Sequence, residues 1–228
     1  LVVLGVKVIS KMKKANDDLL FLDEDNQLEE VTELKWLPWI GKEYFNTEHR
    51  LLIVGESHYL TGKEKNLLEA EQPDFTRNVV QTFCINNKKP QPTFDNLARC
   101  MFGNQKMTAD DRAEKWKHLA FYNFVQRPME NNKKRPTKSN LQKGWNVFSV
   151  LIRILKPTHC IFIGFAAADC NNPYKCKRGE KVGRYAARLF EVELEENDTC
   201  RCVAIKHTSQ YFSWEKWRKL LKTQDFLF

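Results

Sequence analysis

The stretch RLLIVGESHYL, residues 50–60, decides how this chain is read. Leu51, Leu52, Ile53 and Val54 form an apolar run of strand length that ends at Gly55. Glu56, Ser57, His58 and Tyr59 follow at once. A buried strand that empties into a polar corner is typical of α/β proteins, in which ligands sit beyond the carboxyl ends of parallel strands.

Three further strand-like runs lie downstream, at 119–125 (LAFYNFV), 159–163 (HCIFI) and 202–206 (CVAIK), so that four are expected with 50–54. Helical stretches separate them. In NLQKGWNVFSVLIRILKP the apolar residues at 145, 148, 151, 152 and 155 follow helical spacing and stop at Pro157. Gly164 and then FAAADC open a small-residue helix. GRYAARLFEVEL turns from helical to strand-like spacing, and SWEKWRKLLKTQ closes the chain as an amphipathic helix with Ser213 as its cap. This alternation predicts a three-layer α/β/α fold around a central, mainly parallel four-stranded sheet.

With 228 residues and 42% hydrophobic composition, the chain can bury one substantial core. One domain is expected over 41–228, preceded by an extension over 1–40. Within that extension DDLLFLDEDNQLEEV (17–31) reads as a charged, partly helical lead-in, and Met12 reads as a natural start with 1–11 as upstream sequence. The formal charge of +8 favours polyanionic partners. The opening LVVLGVKVIS is apolar for ten residues only and is interrupted by Lys7, so no membrane span is expected. Seven scattered cysteines, partly within apolar runs, read as reduced thiols of a cytoplasmic protein. Neither Cys170 with Cys176 nor Cys200 with Cys202 has zinc-finger spacing. No metal or other cofactor is expected, and the chain is expected to be a monomer.

Polar residues gather at the ends of three expected strands: Glu56 to Tyr59 after the first, Asn123, Gln126 and Arg127 in or after the second, and His207, Thr208 and Ser209 after the fourth. In this order the motifs resemble those of the uracil-DNA glycosylase superfamily. GESHY is similar to its first motif, at the end of the first strand, and HTS (207–209) to its second, His-Pro-Ser. PTFDNLARCMFG resembles the segment that supplies an aromatic to stack on the base, FYNFVQRP the strand whose Asn reads the uracil edge, and LKPTHCIFIGFAAA the third strand. The resemblance runs from about residue 48 to 221.

The resemblance implies a hydrolase of base excision repair that flips a damaged base out of DNA and cleaves its N-glycosidic bond. Asn123 would offer a donor and an acceptor to the base edge. Tyr59 would narrow the pocket, and Phe94 would stack on the base, with Phe75 and Phe83 as other choices. His207 would donate to the anion developing on the base. Ser57 and Ser209, with nearby backbone N–H groups, would hold phosphate. Ser57 stands where the prototypical subgroup has its water-activating Asp, which leaves Glu56 or His58 to handle the water. His58 and Thr208 stand where that pattern has Pro, and the cysteines of the iron–sulfur subgroup have no counterparts, so no cluster is expected.

Two other readings fit the residues. One keeps the fold as a nucleic-acid or nucleotide-binding module with a degenerate pocket. The other is a hydrolase using His58, His207 and Glu56 around a metal. RPMENNKKRPTKSNLQK (127–143) reads as a solvated loop whose Lys and Arg residues could meet phosphates.

Overall fold

The computed structural model describes residues 17–59, 68–87, 91–104, 106–130, 135–194, 198–209 and 211–227. Its strands are β1 (Trp39–Ile40), β2 (Leu51–Tyr59), β3 (Leu119–Met129), β4 (His159–Ile163), β5 (Lys177–Val182), β6 (Tyr185–Glu193) and β7 (Thr199–Ile205). Its helices are α1 (Asp25–Glu29), α2 (Phe75–Val79), α3 (Pro92–Phe102), α4 (Ala109–Trp116), α5 (Lys138–Leu155), α6 (Ala166–Asp169) and α7 (Trp214–Thr223). One sheet joins all seven strands in the order β1-β3-β2-β4-β7-β6-β5.

The four strands expected from the sequence lie side by side as β3-β2-β4-β7, and every pairing among them is parallel. They are legible because they are buried on both faces, which turns them into continuous apolar runs. On β2, Leu51 and Ile53 pack on one face while Leu52 and Val54 pack on the other.

The sheet is nonetheless mixed and seven-stranded, which corrects the expectation of four. β1 adds antiparallel to β3, β6 adds antiparallel to β7, and β5 adds antiparallel to β6. β5 (KRGEKV) is mostly exposed and lysine-bearing, the usual protection of an edge strand, and so carries no apolar alternation to read. GRYAARLFEVEL is not part helix: Tyr185–Glu193 is strand throughout, with Ala187, Phe190 and Val192 buried. The stretch 127–143 is not all loop either, because β3 continues to Met129 and α5 starts at Lys138.

Residues 17–40 pack into the same body. Leu28, Trp36 and Trp39 are fully buried, and Leu20 bridges to Gly41. Arg77, itself buried, pairs both terminal nitrogens with the Asp25 carboxylate at 2.8 and 2.6 Å and donates from Nε to the Pro38 carbonyl at 2.9 Å. Among the described residues, no helix is long and apolar enough to cross a membrane.

The connections decide where a ligand belongs. After β2 the chain packs α3 and α4 on the face of Ile53 and Phe121, then enters β3 on one side of β2. After β3 it packs α5 on the opposite face, against Val54, Tyr122 and Phe162, then enters β4 on the other side of β2. From the end of β2 the chain runs to β3 on one side, and from the end of β4 it runs through α6 to β5 on the other, so the connections diverge between β2 and β4, and such a reversal opens a crevice there.

Candidate functional site

Gly164, directly after β4, sits at that crevice with φ +110°, a backbone conformation that suits glycine. A Cβ on it would lie 3.3 Å from Glu56 Oε2 and 3.8 Å from His207 Cδ2. The ends of β2, β4 and β7 thus bring Glu56 and His207 together over one glycine.

Glu56 Oε1 accepts from the Tyr59 hydroxyl at 2.9 Å and from Arg135 Nη1 at 3.0 Å. Tyr59 can reach Glu56 because the pairing of β2 with β3 slips between Ser57 and Tyr59. In a regular strand, residues three apart point to opposite faces, and the irregularity removes that separation. Burial pushes the Tyr59 phenol up, with the neighbouring Ser57 hydroxyl pulling it back down. Ser57 itself is half-buried and lies opposite Val125 of β3.

His207 Nδ1 accepts the backbone N–H of Ser209 at 3.2 Å. The proton of the neutral ring is then on Nε2, the nitrogen next to the carbon that faces Gly164. Burial lowers the His207 pKa, Glu56 opposes that shift and Arg135 adds to it, so the ring is neutral at neutral pH. The loop that carries His207 is tied to α3: Asn96 Nδ2 donates to the carbonyls of Thr208 and Ser209 at 2.9 and 3.1 Å. Asn96 lies within PTFDNLARCMFG but has no role in the sequence reading. The signal for it was local, because Asn is a poor helix former and one inside a helix needs a reason.

Asn123 stands opposite Gly55 across the β2–β3 ladder and is 5% exposed. A Cβ at Gly55 would overlap Asn123 Oδ1, so the glycine is what admits the amide to the strand end. Strand alternation puts Asn123 on the face of Phe121 and Glu56 on the face of Val54, so the two approach the crevice from opposite faces of the sheet. Phe94, on the face of Asn123, is half-buried and stacks on Phe83, with ring centroids 5.7 Å apart and an interplanar angle of 3°. Two of the aromatics considered for stacking, Phe94 and Phe83, are therefore a pair. Phe75 is engaged elsewhere, against His58 and Trp36.

His58 is packed into the core and not aimed at Glu56. Its Nε2 lies 2.9 Å from Thr76 Oγ1, and its ring centroid lies 4.8 Å from Trp36 and 4.6 Å from Phe75. Burial pulls its pKa down to about 3. It is a neutral packing residue, which removes it from the water-handling role and from a metal set with Glu56 and His207. Among the described residues, the group of three possible ligand atoms close enough for one ion is instead Cys160, Cys200 and Cys202.

On the face of Val54, between Gly55, Glu56, Phe124, Phe162 and Gly164, lies a void of about 10 Å³, space for about one water, which neither His207 nor Asn123 lines. The rim of the crevice is aromatic and basic. Tyr211, four residues after His207, is 92% exposed. Lys206 Nζ donates to the Tyr211 carbonyl at 2.6 Å and lies 5.2 Å from the Tyr185 ring centre. Arg184 also covers Tyr185, and Arg188 covers Phe165. Of the basic residues expected to meet phosphates, Lys133 and Lys134 lie outside the described residues, whereas Arg135 is held by Glu56.

The chain was compared with protein-family models and with curated proteins, and neither comparison found a match.

Proposed function

We propose that the chain is a DNA glycosylase-like protein that hydrolyses the N-glycosidic bond of uracil or another damaged base in DNA. One observation carries this reading: Glu56 and a neutral His207 flank Gly164 at the crevice where the strand order reverses.

The chemistry follows from what each group can do. Cleavage of the C–N bond places positive charge on the sugar and negative charge on the departing base. Nε2–H of neutral His207 donates to that developing anion, and a preorganised donor in a water-poor site is worth about 3 kcal/mol or more. The Glu56 carboxylate lies on the other side, where it stabilises the sugar cation and orients the water. Asn123 reads the base edge with its amide, and the Phe83–Phe94 pair offers the stacking face. Ser209, with the N–H groups of the Asn96-anchored loop, receives phosphate, whereas the Ser57 hydroxyl is buried and takes no part in this. Tyr211 with Lys206 and Arg184 on the rim suits stacking on unpaired bases together with backbone neutralisation.

The Glu56 carboxylate is held by Tyr59 and Arg135, and that cluster must part before Glu56 can face a sugar. This engagement of Glu56, with Ser57 in place of an acid, favours the second reading, a nucleic-acid-binding module that has lost excision. Oligonucleotides carrying uracil, hypoxanthine, xanthine or mismatched thymine, scored for abasic sites, distinguish the two. Excision of any one supports the glycosylase. Salt-sensitive binding without excision supports the binding module.

A further inference from the structure

The sheet carries a second cluster of reactive side chains, at the end opposite Glu56 and His207. Cys160 is the second residue of β4, and Cys200 and Cys202 are the second and fourth of β7. Cys160 and Cys202 are direct partners in the parallel ladder, and Cys200 shares the face of Cys202 because side chains alternate along a strand. Cys160 Sγ lies 3.4 Å from Cys200 Sγ, Cys200 Sγ lies 3.9 Å from Cys202 Sγ, and all three sulfurs fall within 4.8 Å of one another. All three residues are fully buried or nearly so, and all are free thiols.

These separations have a consequence. Three points so spaced lie on a circle of radius about 2.4 Å or less, and a zinc–thiolate bond is about 2.3 Å. An ion therefore fits in the plane of the sulfurs and needs no cavity above them. A second observation is independent of the sulfurs. The hydroxyls of Tyr44 and Tyr122 are buried without a hydrogen-bond partner. Burial raises both phenols, and charge on nearby sulfurs, Cys160 and Cys200 for Tyr44 and Cys160 and Cys202 for Tyr122, adds to that rise. An unpaired buried hydroxyl is costly, and a neutral thiol is a poor acceptor. Neither hydroxyl is hydrogen-bonded to a sulfur here, and both leave a free donor beside the cluster for the charge that metal-bound thiolates would carry.

We propose that Cys160, Cys200 and Cys202 form a closed site for one thiophilic d10 cation, Zn²⁺ or Cu⁺, bound by three sulfurs. Binding replaces the thiol protons with the cation, so up to three protons leave per ion and uptake weakens as pH falls. The site is structural: it fastens β4 to β7 and leaves no open position for a substrate. It does not depend on the glycosylase reading.

The test is reconstitution of the full chain. Reduced protein is unfolded and refolded without oxygen in Zn²⁺ or, separately, Cu⁺, then desalted and assayed for metal and by X-ray absorption. About one ion of at least one metal per chain is expected, with three sulfurs near 2.3 Å as its ligands. Cys200→Ser should weaken retention roughly tenfold or more, while Cys84→Ser, at a buried thiol outside the cluster, should not. Folded wild type that retains neither metal, a first shell lacking three sulfurs, or a disulfide between Cys160 and Cys200 in the isolated protein would overturn the proposal. The absorption measurement on wild type keeps the test valid if Cys200→Ser does not fold.

Discussion

The backbone N–H of Ser209 donates to Nδ1 of His207 at 3.2 Å, and this bond leaves Nε2 as the nitrogen that carries the proton. The proposed reaction uses that proton as a donor to the departing base. His207→Ala should therefore slow single-turnover excision by about a hundredfold with DNA affinity little changed, because the contact strengthens only in the transition state. Because burial lowers the His207 pKa, any acid limb of the rate that comes from this ring should be centred below the ordinary histidine value of about 6.5. An acid limb centred at that ordinary value would contradict a neutral donor.

Asn96 acts on the same loop from a distance. Removing its side chain strips the donor from two carbonyls, and lost hydrogen bonds of this kind cost about 1–3 kcal/mol. Asn96→Asp should be at least as damaging as Asn96→Ala, since a carboxylate cannot donate and would face two carbonyl oxygens. Urea unfolding measures the stability loss. Excision should fall with kcat reduced and KM raised together, because the loop carries both the donor His207 and the phosphate-binding Ser209. An Asp variant as active as wild type would exclude this positioning role.

These two residues mark how far the sequence could be read. The core strands were legible because burial on both faces leaves uninterrupted apolar runs, as at Leu51–Val54 and Ile161–Ile163. The added strands were not, because β1 is two residues long and β5 is an exposed, charged edge. Glu56 and His207 were legible as polar residues at strand ends. His58, their apparent equal, is a core residue, because its surroundings come from Trp36 and Phe75, which lie far along the chain on either side. The thiol cluster was invisible for a similar reason: the pairing of β4 with β7 joins sulfurs 40 positions apart, a distance that no local spacing rule registers.

His58 makes a prediction about acid stability. The unfolded chain takes up this proton near pH 6.5, whereas the folded protein resists it until about pH 3. The stability associated with neutral His58 is thus fully present above pH 6.5 and is lost as pH falls towards 3, by about 1.4 kcal/mol per pH unit. His159, half-buried against His49 and lowered to about 4, adds a smaller loss of the same sign. Urea midpoints at pH 7, 5 and 4 should decline more steeply for wild type than for His58→Gln. Parallel declines would show that His58 titrates normally.

Arg77 tests whether residues 17–40 are integral to the fold. Arg77→Ala leaves the part-buried Asp25 carboxylate and the Pro38 carbonyl without their partner and should cost about 2–3 kcal/mol. Arg77→Lys should recover little, since an ammonium cannot replace the two-nitrogen contact. A chain starting at residue 41 lacks the fully buried Trp36 and Trp39 and should not fold. Denaturant unfolding of the point variants and the solubility of the shortened chain provide the measurements, and a stable shortened chain would contradict this role.

The most direct test of the central claim is single-turnover excision on the oligonucleotide panel with wild type, His207→Ala, Glu56→Gln and Ser57→Ala side by side. The account predicts abasic sites from at least one damaged base. It also predicts losses of about a hundredfold for His207→Ala, a comparable loss for Glu56→Gln, and a much smaller one for Ser57→Ala. No excision of any base by wild type, or excision that survives loss of both Glu56 and His207, would contradict it.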